Sequence, residues 1–106
     1  MICINSRFEM AEAALLSVFA GAFEVKVISA SGGDFGDLKG MQFDSERCGG
    51  YLYFWSSGTI EYHLVDYELG EEIVPITMRT ELEDAGVAAT VAELSSTIEV
   101  LAKLAE

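Results

Sequence analysis

The sequence predicts an α+β domain, a mostly antiparallel sheet of four to five strands with N- and C-terminal helices packed on one face. Three observations carry this. Segments with apolar residues at three- and four-residue spacing lie near the two ends of the chain. Segments rich in alternating, aromatic and β-branched residues lie between them. The two clearest of these flank a Ser57-Gly58 turn. Residues 1–106 are the size of one domain, and 51% of them are apolar, with 11 aromatics. That apolar surface offsets the entropy of ordering, which a disordered acidic chain cannot do.

A first helix is expected over Ser6–Ala20. Ser6 and Glu9 form an S-x-x-E capping box, and Phe8, Ala11, Leu15, Val18 and Phe19 make one apolar stripe. Gly21 is placed as its C-terminal stop. Phe23–Ala30 alternates, with Phe23, Val25 and Val27 against Glu24 and Lys26, as a half-buried strand does. Ser31-Gly32-Gly33-Asp34 reads as a loop. Leu38–Arg47 is the second strand, with Met41 and Phe43 facing one way, and Gly49-Gly50 is the next break.

Tyr51–Ser56 and Thr59–Tyr67 form the central hairpin. A two-residue turn at Ser57-Gly58 sets Trp55 opposite Ile60, Tyr53 opposite Tyr62 and Tyr51 opposite Leu64 on the face suited to the core. It sets Phe54 opposite Glu61 and Leu52 opposite His63 on the other face. Leu69-Gly70 is a further turn. Glu72–Met78 returns as an edge strand, because Pro75 cannot donate to a ladder. A C-terminal helix is expected over 89–105, from a Thr90/Glu93 capping box and the stripe Val91, Leu94, Ile98, Leu101 and Ala105.

Charge narrows the function. The net charge is −12, and residues 61–84 hold eight acids against Arg79 alone. Phosphate backbones and anionic membranes repel such a chain, so neither nucleic acid nor membrane is an expected partner, whereas basic proteins are. Two cysteines, Cys3 and Cys48, make no disulfide framework, and the N-terminus carries no signal-peptide pattern, which points to the cytoplasm. Cys3, Cys48 and His63 lack metal-ligand spacing, so no metal and no cofactor is expected. Gly32-Gly33-Asp34-Phe35-Gly36 lacks phosphate-loop spacing, and Ser56-Ser57-Gly58 lacks the nucleophile elbow. An acid–base pair can be drawn between His63 and Glu61 or Asp66. The first of these is only the ordinary strand period of two, so no catalytic residue is assigned.

The candidate site is a partner-binding one. If the helices cover the Trp55 face, then Leu52, Phe54, Glu61, His63 and Val65 lie open, with Asp66, Glu68, Glu71 and Glu72 around the turn at one end. Apolar anchors such as Phe54 beside carboxylates suit a basic protein.

The stretch Phe43–Gly58, with Glu61–Asp66 and Glu68-Leu69-Gly70-Glu71, resembles the TriTu-type immunity proteins of contact-dependent growth inhibition and related polymorphic toxin systems. The shared features are a Gly before an aromatic strand, a Trp-x-x-Gly hairpin, an acidic strand ending near Val-Asp and a Glu-x-Gly-Glu turn. The resemblance implies an antidote that binds the toxic C-terminal domain of a cognate toxin, often a nuclease with a basic groove. The alternative is an acidic adaptor or nucleic-acid-mimicking inhibitor of a basic protein.

Overall fold

Five strands follow one another in sequence and in space. The strands β1 (Glu24–Gly33), β2 (Gly36–Asp44), β3 (Cys48–Trp55), β4 (Thr59–Asp66) and β5 (Glu71–Thr80) form an antiparallel sheet in that order, flanked by helices α1 (Ile4–Phe19) and α2 (Asp84–Leu104). The structure is a computed structural model that describes residues 4–19, 23–33, 36–81 and 83–104. The α+β architecture is the one expected, with a strand count of five.

The central hairpin departs from expectation by one residue. Phe54 pairs with Ile60, Leu52 with Tyr62, Tyr51 with His63 and Tyr53 with Glu61. The connection is a three-residue loop, Ser56-Ser57-Gly58, closed by Gly58 N donating to Trp55 O at 2.9 Å. Gly58 has φ of 98°, the left-handed geometry that a three-residue hairpin requires at its last position. A one-residue change of register exchanges which side chains meet across the pair. Leu52, Phe54, Ile60, Tyr62 and Leu64 therefore face the core together, while Trp55 is opposite in face to Ile60. The helices cover the Leu52–Phe54 side, not the Trp55 side.

That core is one cluster. Phe8, Ala11 and Leu15 come from α1, and Val87, Val91, Leu94, Ile98 and Leu101 from α2. Met41, Phe43, Leu52, Phe54, Ile60 and Leu64 come from the sheet. α1 lies over β2 and β3 and packs along α2. The outer strand β1 is left uncovered, so Phe23 is buried as expected but Val25 and Val27 are exposed. β5 is the other edge, as Pro75 requires, and its pairing with β4 slips twice near Leu64.

Both helices start earlier than their capping boxes suggest. α1 begins by Ile4, so Ser6 and Glu9 lie inside it; the stop expected at Gly21 and the side chain of Phe19 lie outside the described residues. α2 begins at Asp84, whose carboxylate sits in the first turn, where the helix dipole favours an acid. Thr90 is not a cap. Its hydroxyl donates back to Gly86 O at 3.1 Å and accepts from Arg79 Nη1 at 3.3 Å. Val87 extends the stripe one turn further and is fully buried. Arg7, only 4% exposed, joins the two helix starts, donating to Glu81 O at 2.7 Å and pairing with Asp84 at 3.3 Å.

Gly49-Gly50 is not a break but part of β3. A Cβ on Gly50 would collide with His63 O, and one on Gly49 with the Tyr67 hydroxyl and Asp44 Oδ1. These strand glycines mark close approach of neighbouring groups, not a turn.

The reversed parity has a direct energetic signature. Phe54→Ala should lower unfolding free energy by about 3–5 kcal/mol, as for other buried aromatics. Tyr53→Ala, on the open face, should cost about 1 kcal/mol through its lost ring pair. Urea denaturation of the two variants checks the order, and a larger loss for Tyr53 would refute the placement.

Candidate functional site

The open face of the sheet carries a row of aromatic side chains down β3. Tyr51 and Tyr53 stack with centroids 4.3 Å apart and an interplanar angle of 18°. Trp55 follows two residues on, and it pairs across with Leu38 of β2. Three carboxylates sit around this row, each against a polar side chain of the same face. Tyr51 Oη donates to Glu61 Oε2 at 2.5 Å. Tyr67 Oη donates to Asp44 Oδ1 at 2.6 Å. His63 Nε2 lies 2.9 Å from Glu72 Oε2, with the proton on the imidazole because an ionised carboxylate only accepts. Gln42 Nε2 donates to Tyr53 Oη at 2.9 Å.

These contacts fix the state of the phenols. Burial, then the Glu61 hydrogen bond and charge, push Tyr51 well above the usual tyrosine range. The hydrogen bond to Asp44, then burial, push Tyr67 up to about 12. Ionising either phenol would place an oxyanion against a carboxylate. The face therefore presents neutral hydroxyls that hold carboxylates in place. Among the described residues, Asp44, Glu61 and Glu72 form no ion pair with Lys or Arg.

The expected site residues separate into groups. Glu61, His63 and Glu72 do share the open face. Glu71 is exposed at the start of β5. Asp66 and Glu68 belong to the β4–β5 turn. Asp66 is buried, and its Oδ1 accepts from Glu68 N at 2.9 Å and Leu69 N at 3.2 Å. Gly70, at φ of 68°, donates its N–H to Asp66 O at 2.9 Å. Arg47 pairs with both Asp66 and Glu68 at 3.7 Å. Asp66 thus organises the turn and is not free for a partner. Phe54, expected as the apolar anchor, is 1% exposed in the core and cannot touch one. The histidine's carboxylate partner is Glu72, not Glu61 or Asp66.

Sequence reasoning missed Asp44, Gln42, Tyr51, Tyr53 and Tyr67 as members of this face. The available signal was the Ser-Ser-Gly loop: a three-residue reading of it turns the tyrosines outward. Cys48 is a free, buried thiol with its pKa raised chiefly by burial, whereas Cys3 lies outside the described residues. Among the described residues, no group of three or more His, Cys, Asp or Glu side chains is arranged to hold a metal ion. No helix there is long and apolar enough to cross a membrane. Comparison with protein-family models, with curated proteins and with solved structures finds no match.

Three outcomes follow from this geometry. Asp44→Asn should return the Tyr67 phenol towards its ordinary value of 10.0, read by ultraviolet titration of the folded protein. Because the folded value is raised, the Tyr67 contribution to stability is whole below pH 10.0 and is lost as pH climbs through about 12. Asp66→Ala leaves two turn amides without their acceptor and should destabilise by about 1–3 kcal/mol in urea. Unchanged stability would show that the turn does not depend on it.

Proposed function

We propose that this chain is an immunity protein that binds and neutralises the toxic C-terminal domain of a cognate contact-dependent growth inhibition toxin, a basic domain of the nuclease class. The observation that carries the reading is the open face: tyrosines and a tryptophan in a row, ringed by carboxylates that no Lys or Arg of the described residues neutralises. Aromatic side chains are enriched at interface cores, and rim charges steer encounter. The resemblance of residues 43–71 to TriTu-type immunity proteins supplies the class of partner.

The inhibitor acts by occupancy. Its carboxylates take the place of substrate phosphates at a basic groove, and the aromatic row excludes water from the contact. Neither step needs a catalytic group. A specific interface buries about 800 Å² on each partner. On a molecule of 41 × 23 × 20 Å that area takes in most of one broad side. The carboxylates group around tyrosines instead of running at phosphate intervals along one edge, which favours an inhibitor of a defined protein over a general nucleic-acid mimic.

The test is association kinetics with the cognate toxin domain, across a salt series. Screening shortens from about 10 Å at 0.1 M salt to about 3 Å at 1 M, so association should slow as salt rises. Neutralising Asp44, Glu61 and Glu72 together (Asp44→Asn, Glu61→Gln, Glu72→Gln) should slow it about tenfold at low salt and flatten the salt slope. An unchanged rate and slope would place the interface elsewhere and overturn the reading of this face.

A further inference from the structure

At one end of the open face lies a hollow of about 360 Å³, lined by Gln42, Asp44, Tyr51, His63, Val65 and Tyr67 and floored by the backbone of Gly49-Gly50. Its shape follows from the glycines. With no Cβ on Gly49, Tyr67 can reach across β3 from the end of β4 to Asp44 on β2. Tyr51 rises two residues further along β3 on the same face, with His63 opposite it in an edge contact at 5.8 Å. Gly49 is buried beneath the Tyr67 hydroxyl, and the hollow opens between the Tyr51 and Tyr67 side chains.

The electrostatics of this end are unbalanced. Glu24 of β1 sits directly opposite Asp44 of β2. Like charges facing across a strand pair destabilise it. Lys26, two residues along, lies opposite Gln42 and forms an ion pair with neither acid among the described residues. Asp44 spends one oxygen on the Tyr67 hydroxyl, and an ionised carboxylate has about four acceptor positions, so the second oxygen can receive further donors.

We propose that this hollow is a subsite for an arginine side chain of the protein partner, with the guanidinium against the phenol rings and paired with Asp44. The inference rests on the function proposed above and names the chemistry recognised at one point of that face. Arginine fits better than lysine. A guanidinium is planar, stacks on aromatic faces, matches a carboxylate with two parallel donors and is weakly hydrated. An ammonium has the charge but not the plane. An anion is opposed by the whole chain, at net −12, by Asp44 in the wall of the hollow and by Glu24 opposite Asp44. A cation there also relieves the Glu24–Asp44 conflict.

The experiment is a nitrogen-15 NMR titration of the intact protein with N-acetyl-arginine methylamide, alongside the lysine and citrulline derivatives. The amides of Gly49, Gly50, Tyr51, His63 and Tyr67 should shift with the arginine compound. The lysine compound should bind about tenfold more weakly, and citrulline, with the same outline and no charge, should leave these amides unmoved. Asp44→Asn, and separately Tyr67→Leu, should each weaken arginine binding about tenfold while the remaining amide spectrum keeps its dispersion. Equal binding of citrulline, shifts confined to other surfaces, or undiminished binding by both variants would overturn the inference. The two readings fail separately. Toxin binding that needs the open face, with no arginine response in the hollow, sinks only the subsite. An arginine response without any effect of the face on toxin association sinks only the proposed function.

Discussion

The structure depends on the length of one loop. Ser56-Ser57-Gly58 joins the two central strands with three residues, and the positive φ of Gly58 makes that length possible. Strand side chains alternate, so this loop decides which members of two aromatic-rich strands share a face. With three residues, Leu52 and Phe54 meet Tyr62 and Ile60 under the helices, and the tyrosines of β3 meet His63 and Glu61 in the open. With two residues, Trp55, Tyr53 and Tyr51 would instead share a face with Ile60, Tyr62 and Leu64, and Phe54 and Leu52 would lie opposite Glu61 and His63. The observed pairing is the one that gives the helices a continuous apolar surface.

Everything on the open face follows from that choice. A sheet covered on one side leaves its other side to water, and here that side carries rings whose hydroxyls need acceptors. Acids supply them: Glu61 for Tyr51, Asp44 for Tyr67. The arrangement orients carboxylates before any partner arrives, which reduces the ordering that association must otherwise impose. It also leaves negative charge on the face, since the donors are neutral. The acids of the β4–β5 turn are different in kind. Asp66 and Glu68 are drawn to Arg47 and to turn amides, and they hold the end of the sheet in shape.

Much of the fold was readable from residue pattern because burial enforces it. The stripe Val91, Leu94, Ile98 and Leu101 had to be a helix face, and Pro75 had to lie at an edge. The start of α2 was not readable in the same way. Thr90 and Glu93 imitate a cap, and only packing shows that the Thr90 hydroxyl bonds back within the helix and receives Arg79. The Gly49-Gly50 pair looked like a break, because a close approach of Tyr67 and His63 to the backbone leaves no trace in local sequence. For the site, the acids and the histidine were identifiable from charge. Their division into Glu61 and His63 on the face and Asp66 and Glu68 at the turn was also legible, but the pairing of Glu72 with His63 and the outward turn of the tyrosines were not. The turn of the tyrosines depends on one residue of loop length, a quantity to which composition and periodicity are blind.

The central claim is that the tyrosine-carboxylate side of the sheet, and not the helical side, meets a basic protein. Cross-saturation transfer from a protonated toxin domain to the deuterated, nitrogen-15-labelled chain tests it most directly. The account predicts attenuated amides on alternate open-face positions, including Gln42, Tyr51, Tyr53 and His63, with α1 and α2 unaffected. Attenuation along the exposed sides of α1 and α2, around Leu16 and Val100, with the open face silent, would contradict it.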